Sequence, residues 1–407
     1  MFESSAARQA GFDLAELFEA YHCCRANKRR TANALAFELD YEANLVQLWH
    51  ELGDGSYRPR RSVAFIIDKP VKREIFAADF RDRIVHHLII NKLNPLFEAE
   101  FIYDSYASRV GRGTLFGVAR AQRFIRACSH NYTRDAYVLK LDIAGFFMHI
   151  NVAILFAKLS RFIQAQYHAA DRDLLIEVCR VVLFNDVREN CQIKGHRRDW
   201  EGLPANKSLF GSPPGCGLAI GNLTSQVFAN FYLNDFDHYL KHELGVRFYG
   251  RYVDDLLIVD RDREYLQSLI PVLRGYLAER LGLTLHPRKI HLQHHTKGVS
   301  YLGTVIKPGR VYVGKRTKGN FHAAITTHNA VVADHHPDRA EQQEFQSSMN
   351  SYLGYMKQHD TRRLRRAMVA KHVTGWWPYA HVNGGVEKFV LHRHIGAPNN
   401  GGTGISS

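Results

Sequence analysis

Two adjacent aspartates, Asp254 and Asp255, lie between aromatic and apolar residues in the stretch 248–260. Apolar runs rich in β-branched residues on both sides of a short polar break predict a hairpin of two buried strands. Two carboxylates at such a turn are costly to desolvate side by side, and a bound divalent cation removes that cost. A solvated Asp-Asp turn is the alternative interpretation, and the apolar flanks count against it.

A third aspartate, Asp142, lies in the β-rich run 138–143 and is followed by Phe146 and Phe147. It is so far from Asp254 along the chain that the two can meet only through tertiary structure. Together, three carboxylates can hold two Mg²⁺ ions, which activate a hydroxyl and neutralise a departing pyrophosphate. The residue types therefore predict phosphoryl transfer, provided that the fold brings the strand and the hairpin together.

The order of these motifs resembles a known family. A strand with Asp-x-x-x-Phe-Phe, followed by a Tyr-x-Asp-Asp hairpin, resembles motifs A and C of the reverse transcriptase palm. Between them, residues 217–237 resemble motif B of diversity-generating retroelement reverse transcriptases, with Ile220-Gly221 at the turn and Ser225-Gln226 on the helix. Many reverse transcriptases have Gln-Gly and Ser-Pro at these places. The chain thus resembles bacterial or phage enzymes of this type, which are related to defence-associated bacterial reverse transcriptases.

The resemblance implies an α+β fold of the right-hand polymerase class, with fingers, a palm built on an antiparallel sheet, and a helical thumb. In chain order we expect an N-terminal helical segment at 1–60, fingers at 61–135, a palm with part of the fingers at 136–300, a thumb at 301–375 and a C-terminal tail at 376–407. Apolar residues at helical spacing predict the N-terminal helices. The glycine-rich stretch 399–404 predicts a flexible end.

The resemblance also implies catalytic roles. Asp142, Asp254 and Asp255 would be catalytic and, together with Ile143, would form the site for two Mg²⁺ ions, with Mn²⁺ as an alternative. Lys289, in a segment that resembles motif D, would protonate the pyrophosphate. By the same resemblance, Phe147 would pack under the sugar and exclude a 2′-hydroxyl, and a core phenylalanine is the alternative interpretation.

Further residues are assigned to substrates by the same resemblance. The nucleotide-binding set joins cations of the fingers, which would hold the triphosphate, to residues of the palm: Lys72, Arg73, Arg81, Phe147, Ile220, Gly221, Gln226 and Tyr252. The nucleic-acid-binding set consists of a template-side loop, a primer-grip hairpin and a basic thumb helix: Arg109, Arg112, Tyr301, Leu302, Gly303, Arg362, Arg363, Arg365 and Arg366. A solvated basic face and an ordinary loop are the alternatives.

The composition agrees with a polyanionic partner. The 407 residues carry 54 Lys and Arg against 40 Asp and Glu, a formal net charge of +14, which favours nucleic acid. An acidic membrane would also fit this charge, but no amphipathic basic helix stands out and no apolar run approaches the ~18 residues of a membrane span. The 6 cysteines show no Cys-x-x-Cys spacing, and the first residues do not form a signal peptide, so we expect reduced thiols and a cytoplasmic location.

The leading hypothesis is an RNA-templated DNA polymerase that copies a dedicated structured RNA into cDNA in a diversity-generating retroelement. Its expected partners are an RNA template and primer, a DNA product, dNTPs, a structured non-coding RNA, and an accessory protein or second reverse transcriptase, with no membrane. An antiphage defence enzyme that copies a non-coding RNA is the first alternative. A catalytically inactive RNA-binding scaffold is another, which the intact aspartates disfavour, and Phe147 disfavours synthesis of RNA.

Overall fold

The computed structural model describes residues 11–26, 31–68 and 71–392, so the predicted flexible end at 399–404 lies outside the described residues. The chain divides into two compact units, Met1–His295 and Thr296–Ser407. In the N-terminal unit the helices are α1 (Leu14–Arg25), α2 (Ala32–Glu38), α3 (Tyr41–Gly53), α4 (Phe80–Glu100), α5 (Thr114–Cys128), α6 (Phe146–His149), α7 (Val152–Gln166), α8 (Arg172–Leu183), α9 (Leu223–Tyr232), α10 (Asn234–His238) and α11 (Arg263–Leu281). Its strands are β1 (Ser62–Ile67), β2 (Arg73–Ala77), β3 (Tyr137–Asp142), β4 (Cys191–Ile193), β5 (Phe248–Tyr252), β6 (Asp255–Asp260) and β7 (His291–His294).

A four-stranded antiparallel sheet forms the centre of this unit, in the order β5-β6-β3-β7. Strand β6 is buried along Leu256–Val259, as expected of a continuous apolar run covered on both faces. Helices α5 and α11 pack against the sheet. The predicted hairpin is present as β5 and β6, and β3 lies beside β6, which is the arrangement that the three aspartates require.

A second sheet has the order β2-β1-β4. Strands β1 and β2 form the antiparallel hairpin predicted for the fingers, and β4 pairs parallel with β1. Because β4 comes from the segment between α8 and α9, this sheet is assembled from distant parts of the chain. On β2, the buried carboxylate of Glu74 accepts hydrogen bonds from the Trp200 indole at 2.6 Å and the Ser208 hydroxyl at 2.7 Å, which fixes the strand to that same segment.

The C-terminal unit has its own sheet and core. Its elements are β8 (Val299–Tyr301), β9 (Thr304–Lys307), β10 (Arg310–Val313), α12 (Lys315–Asp334), α13 (Arg339–Lys357), α14 (Arg362–His372), β11 (Ala380–Asn383) and β12 (Lys388–Leu391). Strands β8 to β10 form a three-stranded antiparallel sheet. In the core, the Phe345 and Trp376 rings stack with centroids 3.9 Å apart, and Phe389 lies edge-on to Phe345.

The prediction of a tail from residue 376 onward is therefore wrong for its described part. Residues 380–391 form the hairpin β11–β12, and Phe389 of this hairpin is fully buried because it packs on α13. Helices together with mainly antiparallel sheets confirm the predicted α+β fold class. Within the described residues, no helix is long and apolar enough to span a membrane.

Candidate active site

The central sheet brings the three aspartates together at one end. In the β3–β6 register Asp142 lies directly opposite Asp255. The backbone N–H of Ile143 donates to the carbonyl of Asp254 at 3.3 Å, so the chain leaving β3 runs against the turn of the β5–β6 hairpin. The predicted meeting of Asp142 with the Asp-Asp turn is thus present in the structure.

Three carboxylates lie in this cluster, and two lysine ammonium groups lie near them. Burial, together with the charges of Asp142 and Asp255, raises the pKa of Asp254 to about 7. Burial also raises the pKa of Asp255, against the opposing effect of Lys140, whose Nζ lies 3.8 Å from Oδ1 of Asp255. Lys289 supplies the other nearby cation, with its Nζ 2.8 Å from Oδ1 and 3.0 Å from Oδ2 of Asp142.

The donor chemistry fits a hard divalent cation. Carboxylate oxygens are the ligands that Mg²⁺ prefers, and like charges held together in a partly buried site are stabilised by a cation between them. Across residues 11–26, 31–68 and 71–392, no set of three or more His, Cys, Asp or Glu side chains is already arranged to hold an ion. The fit therefore rests on the donor types and on the crowding of three partly buried carboxylates beside two lysines.

The turn that carries Asp254 has a strained backbone. Val253 has φ of +54°, a left-handed conformation that is unfavourable for a β-branched residue. Such conformations persist only where the surroundings hold them, and they cluster at functional sites. Tyr252, assigned to the nucleotide, is half-buried and lies opposite Asp255 in the β5–β6 register.

A buried charge network behind this turn was not predicted from the sequence. Arg251 and Asp237 have fully buried side chains and form an ion pair. The Tyr249 hydroxyl also donates to Asp237, at 2.6 Å. The available signal was an arginine inside an otherwise buried strand, since such a residue needs an acidic partner in the interior, but the sequence does not reveal which acid that is.

Phe147 lies in α6, directly after the loop that follows Asp142. It is half-buried, whereas Phe146 is buried, and the two rings meet edge to face with centroids 5.6 Å apart. The Phe147 carbonyl accepts a hydrogen bond from the Leu218 N–H at 2.8 Å. Motif A and the motif B turn are therefore joined at the residue predicted to select the sugar.

The motif B turn packs against the fingers strand β2. The Ile220 carbonyl accepts a hydrogen bond from the Phe76 N–H at 2.8 Å. Gly221 has φ of +121°, and a Cβ there would lie 2.8 Å from Cγ2 of Ile75 and 3.0 Å from the Phe76 carbonyl oxygen. Only glycine fits at this place, but the close approach is to a strand of the protein. Gln226 is exposed on α9.

Among the predicted triphosphate contacts, Lys72 and Arg73 differ from Arg81. Arg73 is exposed, and the Lys72 Nζ donates to the Glu201 carbonyl at 2.7 Å. Arg81 is buried, forms an ion pair with Glu51, and its guanidinium lies over the ring of a neighbouring tyrosine. The structure does not support a nucleotide contact for Arg81, because its charge is already used to hold α3 against α4.

In the predicted template-side loop, Arg109 requires a similar correction. It is buried, and its guanidinium donates to Glu98 and to the carbonyls of Ile102 and Ser105 at 2.8 and 3.0 Å. It holds the loop in shape, and the structure does not support a contact between Arg109 and a nucleic acid. Arg112 is only half-buried, and its guanidinium lies 4.4 Å from the ring centroid of Tyr103.

Within the C-terminal unit, the predicted primer-grip residues form the β8–β9 turn. Tyr301 is buried, and Leu302 and Gly303 have φ of +45° and +81°, the pattern of a tight hairpin turn. On α14, three of the four predicted arginines, Arg362, Arg363 and Arg366, are exposed.

The fourth predicted arginine of α14, Arg365, is buried and donates to the Val386 carbonyl. The guanidinium of Arg365 anchors the β11–β12 hairpin, and the structure does not support a phosphate contact by this residue.

Comparison with known proteins gives two kinds of match. Protein YkfC of Escherichia coli (strain K12) is 23% identical over 312 residues, which cover 68% of this chain and 73% of that protein. Telomerase from Candida albicans in complex with a TWJ fragment of telomeric RNA is similar with a TM-score of 0.45 at 12% identity, covering 78% of this chain. Apo telomerase from Candida tropicalis has a TM-score of 0.46 at 11% identity, covering 77% of this chain. The chain spans 55% and 60% of these two telomerase chains.

The family comparison is more specific. The family model described as reverse transcriptase (RNA-dependent DNA polymerase) matches residues 67–306. This range is more than half of the chain and includes β3, the motif B turn and the β5–β6 hairpin with its paired aspartates. The chain therefore belongs to the reverse transcriptase family of RNA-dependent DNA polymerases.

Proposed function

We propose that this enzyme copies RNA into DNA by two-metal phosphoryl transfer at Asp142, Asp254 and Asp255. The observation that carries the proposal is the pairing of β3 with β6, which sets Asp142 opposite Asp255 at the turn of the hairpin. These carboxylates, with Ile143 beside them, would hold two Mg²⁺ ions, which when bound would activate the primer 3′-hydroxyl and neutralise the charge on the leaving pyrophosphate.

The protein's own residues would position the substrates. Lys72 and Arg73 on the fingers would hold the triphosphate, and half-buried Phe147 would contact the sugar. Lys289 would give a proton to the pyrophosphate, since its ammonium group lies at the Asp142 carboxylate, beside the proposed metal site. Tyr252 and Gln226 would face the new base pair.

Several predicted nucleic-acid contacts remain open to a partner in the structure. We propose that Arg112, the β8–β9 turn and the exposed arginines of α14 contact the template and primer, since exposed arginines neutralise phosphates. The substrates would be an RNA template, a primer and dNTPs, with DNA as the product. We also propose that the enzyme acts in the cytoplasm.

The decisive experiment is primer extension on RNA with Mg²⁺ and dNTPs. Asp254→Asn should lower the rate by orders of magnitude, because an amide does not supply the anionic ligand that the metals need. Asp173→Asn, at an exposed position on α8, is the matched control and should behave like the parent. Unchanged activity in Asp254→Asn would remove the catalytic assignment, and no DNA from the parent enzyme would favour an RNA-binding scaffold.

For the biological role, we propose mutagenic copying of a dedicated structured RNA in a diversity-generating retroelement, with an accessory protein as partner. The Ile220-Gly221 and Ser225-Gln226 pairs support it. Ile220 packs with the cluster that contains Ala64 and Phe76 and offers no polar side-chain atom to a base pair. Losing one polar contact can cost about 1–3 kcal/mol of discrimination.

Sequencing of cDNA made on a mixed-base RNA tests this role. We expect more errors opposite adenine than opposite the other bases, and fewer in Ile220→Gln, which adds a side chain that can hydrogen-bond. Equal and low error at all four template bases in the parent would contradict the mutagenic role and favour a defence enzyme that copies a non-coding RNA.

A further inference from the structure

Arg251 and Asp237 form a completely buried ion pair behind the catalytic hairpin. Their side chains are 0% exposed, and the Arg251 Nε donates to both carboxylate oxygens of Asp237 at 2.8 and 3.1 Å. The Tyr249 hydroxyl donates to the same carboxylate at 2.6 Å. Desolvating two charges is expensive, and a buried pair is weak evidence for stability in itself. Stability alone therefore does not explain why this ion pair lies in the palm behind the catalytic hairpin.

The other hydrogen bonds of the Arg251 guanidinium indicate what the ion pair does. One Nη1 hydrogen is donated to the carbonyl of Val253 at 3.1 Å. From Nη2, hydrogen bonds reach the Asn230 carbonyl on α9 at 3.2 Å and the Ser105 hydroxyl at 3.3 Å. A single guanidinium thus connects Asp237, the motif B helix and the peptide unit immediately before Asp254. Its rigid planar fork makes such a multiple connection feasible, and a lysine cannot reproduce it.

The backbone of Arg251 is held as well. Its N–H donates to the Asp104 carbonyl at 2.9 Å, and its carbonyl accepts from the Tyr106 N–H at 3.0 Å. At the preceding residue, a Cβ on Gly250 would clash with the Tyr106 hydroxyl group. The free edge of β5 is therefore covered by the loop 104–106, and Arg251 has little freedom to shift.

What this anchored arginine holds is a strained turn. Val253 has φ of +54°, which a β-branched residue adopts only when its surroundings impose it. The hydrogen bond from Arg251 fixes the Val253 carbonyl in that conformation. Relaxation of Val253 to negative φ would rotate the following peptide unit and displace the Asp254 carboxylate from Asp142.

We propose that Arg251 and Asp237 are positioning residues, whose buried pair holds the Val253 turn and so sets the place of the Asp254 carboxylate for metal binding. This inference rests on the proposed function, because it assumes that Asp254 holds a metal ion. Neither residue touches substrate. Their effect reaches the reaction through the backbone of the hairpin.

The test separates positioning from stability by replacing the pair with apolar residues. A buried ion pair exchanged for hydrophobic side chains of similar size often keeps or raises stability. We therefore expect Arg251→Met/Asp237→Leu to unfold at nearly the same temperature as the parent. Its dissociation constant for Mn²⁺, measured by electron paramagnetic resonance of the free ion, should rise about tenfold, as is typical when the support of a metal ligand is removed.

A matched control is available in the same unit. Lys92 and Asp171 form another largely buried pair, with Nζ and Oδ2 2.8 Å apart, between α4 and the start of α8. Lys92→Met/Asp171→Leu should leave the Mn²⁺ dissociation constant unchanged. A rise of equal size in this control would show that any buried pair disturbs the site, and would overturn the inference.

A second variant keeps the inference testable if the apolar pair does not fold. Arg251→Lys retains a charge for Asp237 but lacks the fork that reaches Val253, so it should also weaken Mn²⁺ binding about tenfold. Parent-like Mn²⁺ binding in either variant would overturn the positioning role. Asp254→Asn distinguishes failure of the metal site from failure of the positioning role. If Asp254→Asn binds Mn²⁺ as the parent does, the proposed metal site is wrong. If it loses Mn²⁺ binding while both Arg251 variants bind normally, only the positioning role is wrong.

Discussion

Lys289 and Asp142 form an ion pair at the end of β3, with Nζ 2.8 Å from one carboxylate oxygen and 3.0 Å from the other. The lysine is half-exposed, whereas the aspartate is largely buried. The predicted proton donor therefore rests against a predicted metal ligand. The effect of Lys289 on metal binding and its proposed protonation of the pyrophosphate can be measured separately.

Lys289→Met should reduce nucleotide incorporation about 100-fold at saturating dNTP, the lower range of general acid catalysis. Its Mn²⁺ dissociation constant should not rise, because the substitution removes a positive charge that competes for Asp142. Rapid-quench primer extension and Mn²⁺ titration measure the two quantities. Arg288→Met, at the exposed neighbouring position, is the control. Weaker Mn²⁺ binding with an unchanged rate would contradict the proton-donor role.

Asp82 should make the stability of the protein depend on pH. Burial raises its pKa to about 6 in the folded protein, above the ordinary value near 3.8. The folded state therefore binds the Asp82 proton more tightly than the unfolded state does. The stability that this protonation adds is fully present below pH ~3.8 and is lost as the pH rises through about 6. The loss amounts to about 3 kcal/mol.

Asp82→Asn isolates this effect, since an amide mimics the protonated carboxyl. The free energy of unfolding of the variant, relative to the parent, should increase by about 2 kcal/mol between pH 4 and pH 7 in denaturant titrations. Asp173→Asn, at an exposed position, should show no such trend. A constant difference between Asp82→Asn and the parent over this range would be incompatible with a raised pKa.

Phe147→Val should let ribonucleotides compete, because a 2′-hydroxyl needs room that the phenyl ring fills. We expect the ratio of kcat/KM for dNTP to that for rNTP to fall at least about tenfold, in the range of steric discrimination. Phe146→Val is the comparison, since Phe146 is buried and its truncation should lower stability without changing sugar preference. Rejection of rNTPs at the parent level would make Phe147 a core residue.

The exposed arginines of α14 should determine part of the salt dependence of nucleic-acid binding. Each phosphate contact contributes about 0.7–0.9 to the slope of log affinity against log salt. Arg362→Ala/Arg363→Ala/Arg366→Ala should therefore reduce the slope by about 2–3, measured by fluorescence anisotropy on an RNA–DNA duplex. An unchanged slope would place the duplex elsewhere.

Two further variants serve as controls for that measurement. Arg365→Ala should lower the melting temperature, because Arg365 anchors the β11–β12 hairpin, and should affect the slope little. On α8, Arg172→Ala/Arg180→Ala removes one half-buried and one exposed arginine of the N-terminal unit and should leave the slope near that of the parent.

The sequence predicted those features that depend on local pattern. The apolar runs around Asp142 and around Asp254 predicted the strands, and the motif order indicated that they meet. The sequence did not predict which residues pair with the buried charges. Arg81, Arg109 and Arg365 look like surface cations in the sequence, and only the tertiary structure shows that each is used inside the protein.

The Arg251–Asp237 pair was missed for the same reason. Arginine in a buried strand signals an interior partner, but several acidic residues of the chain could supply it, and the choice depends on how α10 packs behind β5. The β11–β12 hairpin was missed because its strands are short and contain histidine, asparagine and lysine. They are stabilised by packing of Phe389 and not by strong local propensity.

The order of the central sheet, β5-β6-β3-β7, has a consequence for how the protein is made. Strand β3 is flanked by β6 and β7, both of which are synthesised later, and β6 ends only at Asp260. At ribosomal rates of roughly 5–20 residues per second, synthesis of β6 follows that of β3 by on the order of ten seconds. The apolar strand that carries Asp142 has no paired strand in that interval. During that time Val138, Leu139 and Leu141, all buried in the finished fold, are open to pairing with other chains. Translation speed between motifs A and C, and chaperones that bind nascent chains, therefore bear directly on the yield of active enzyme.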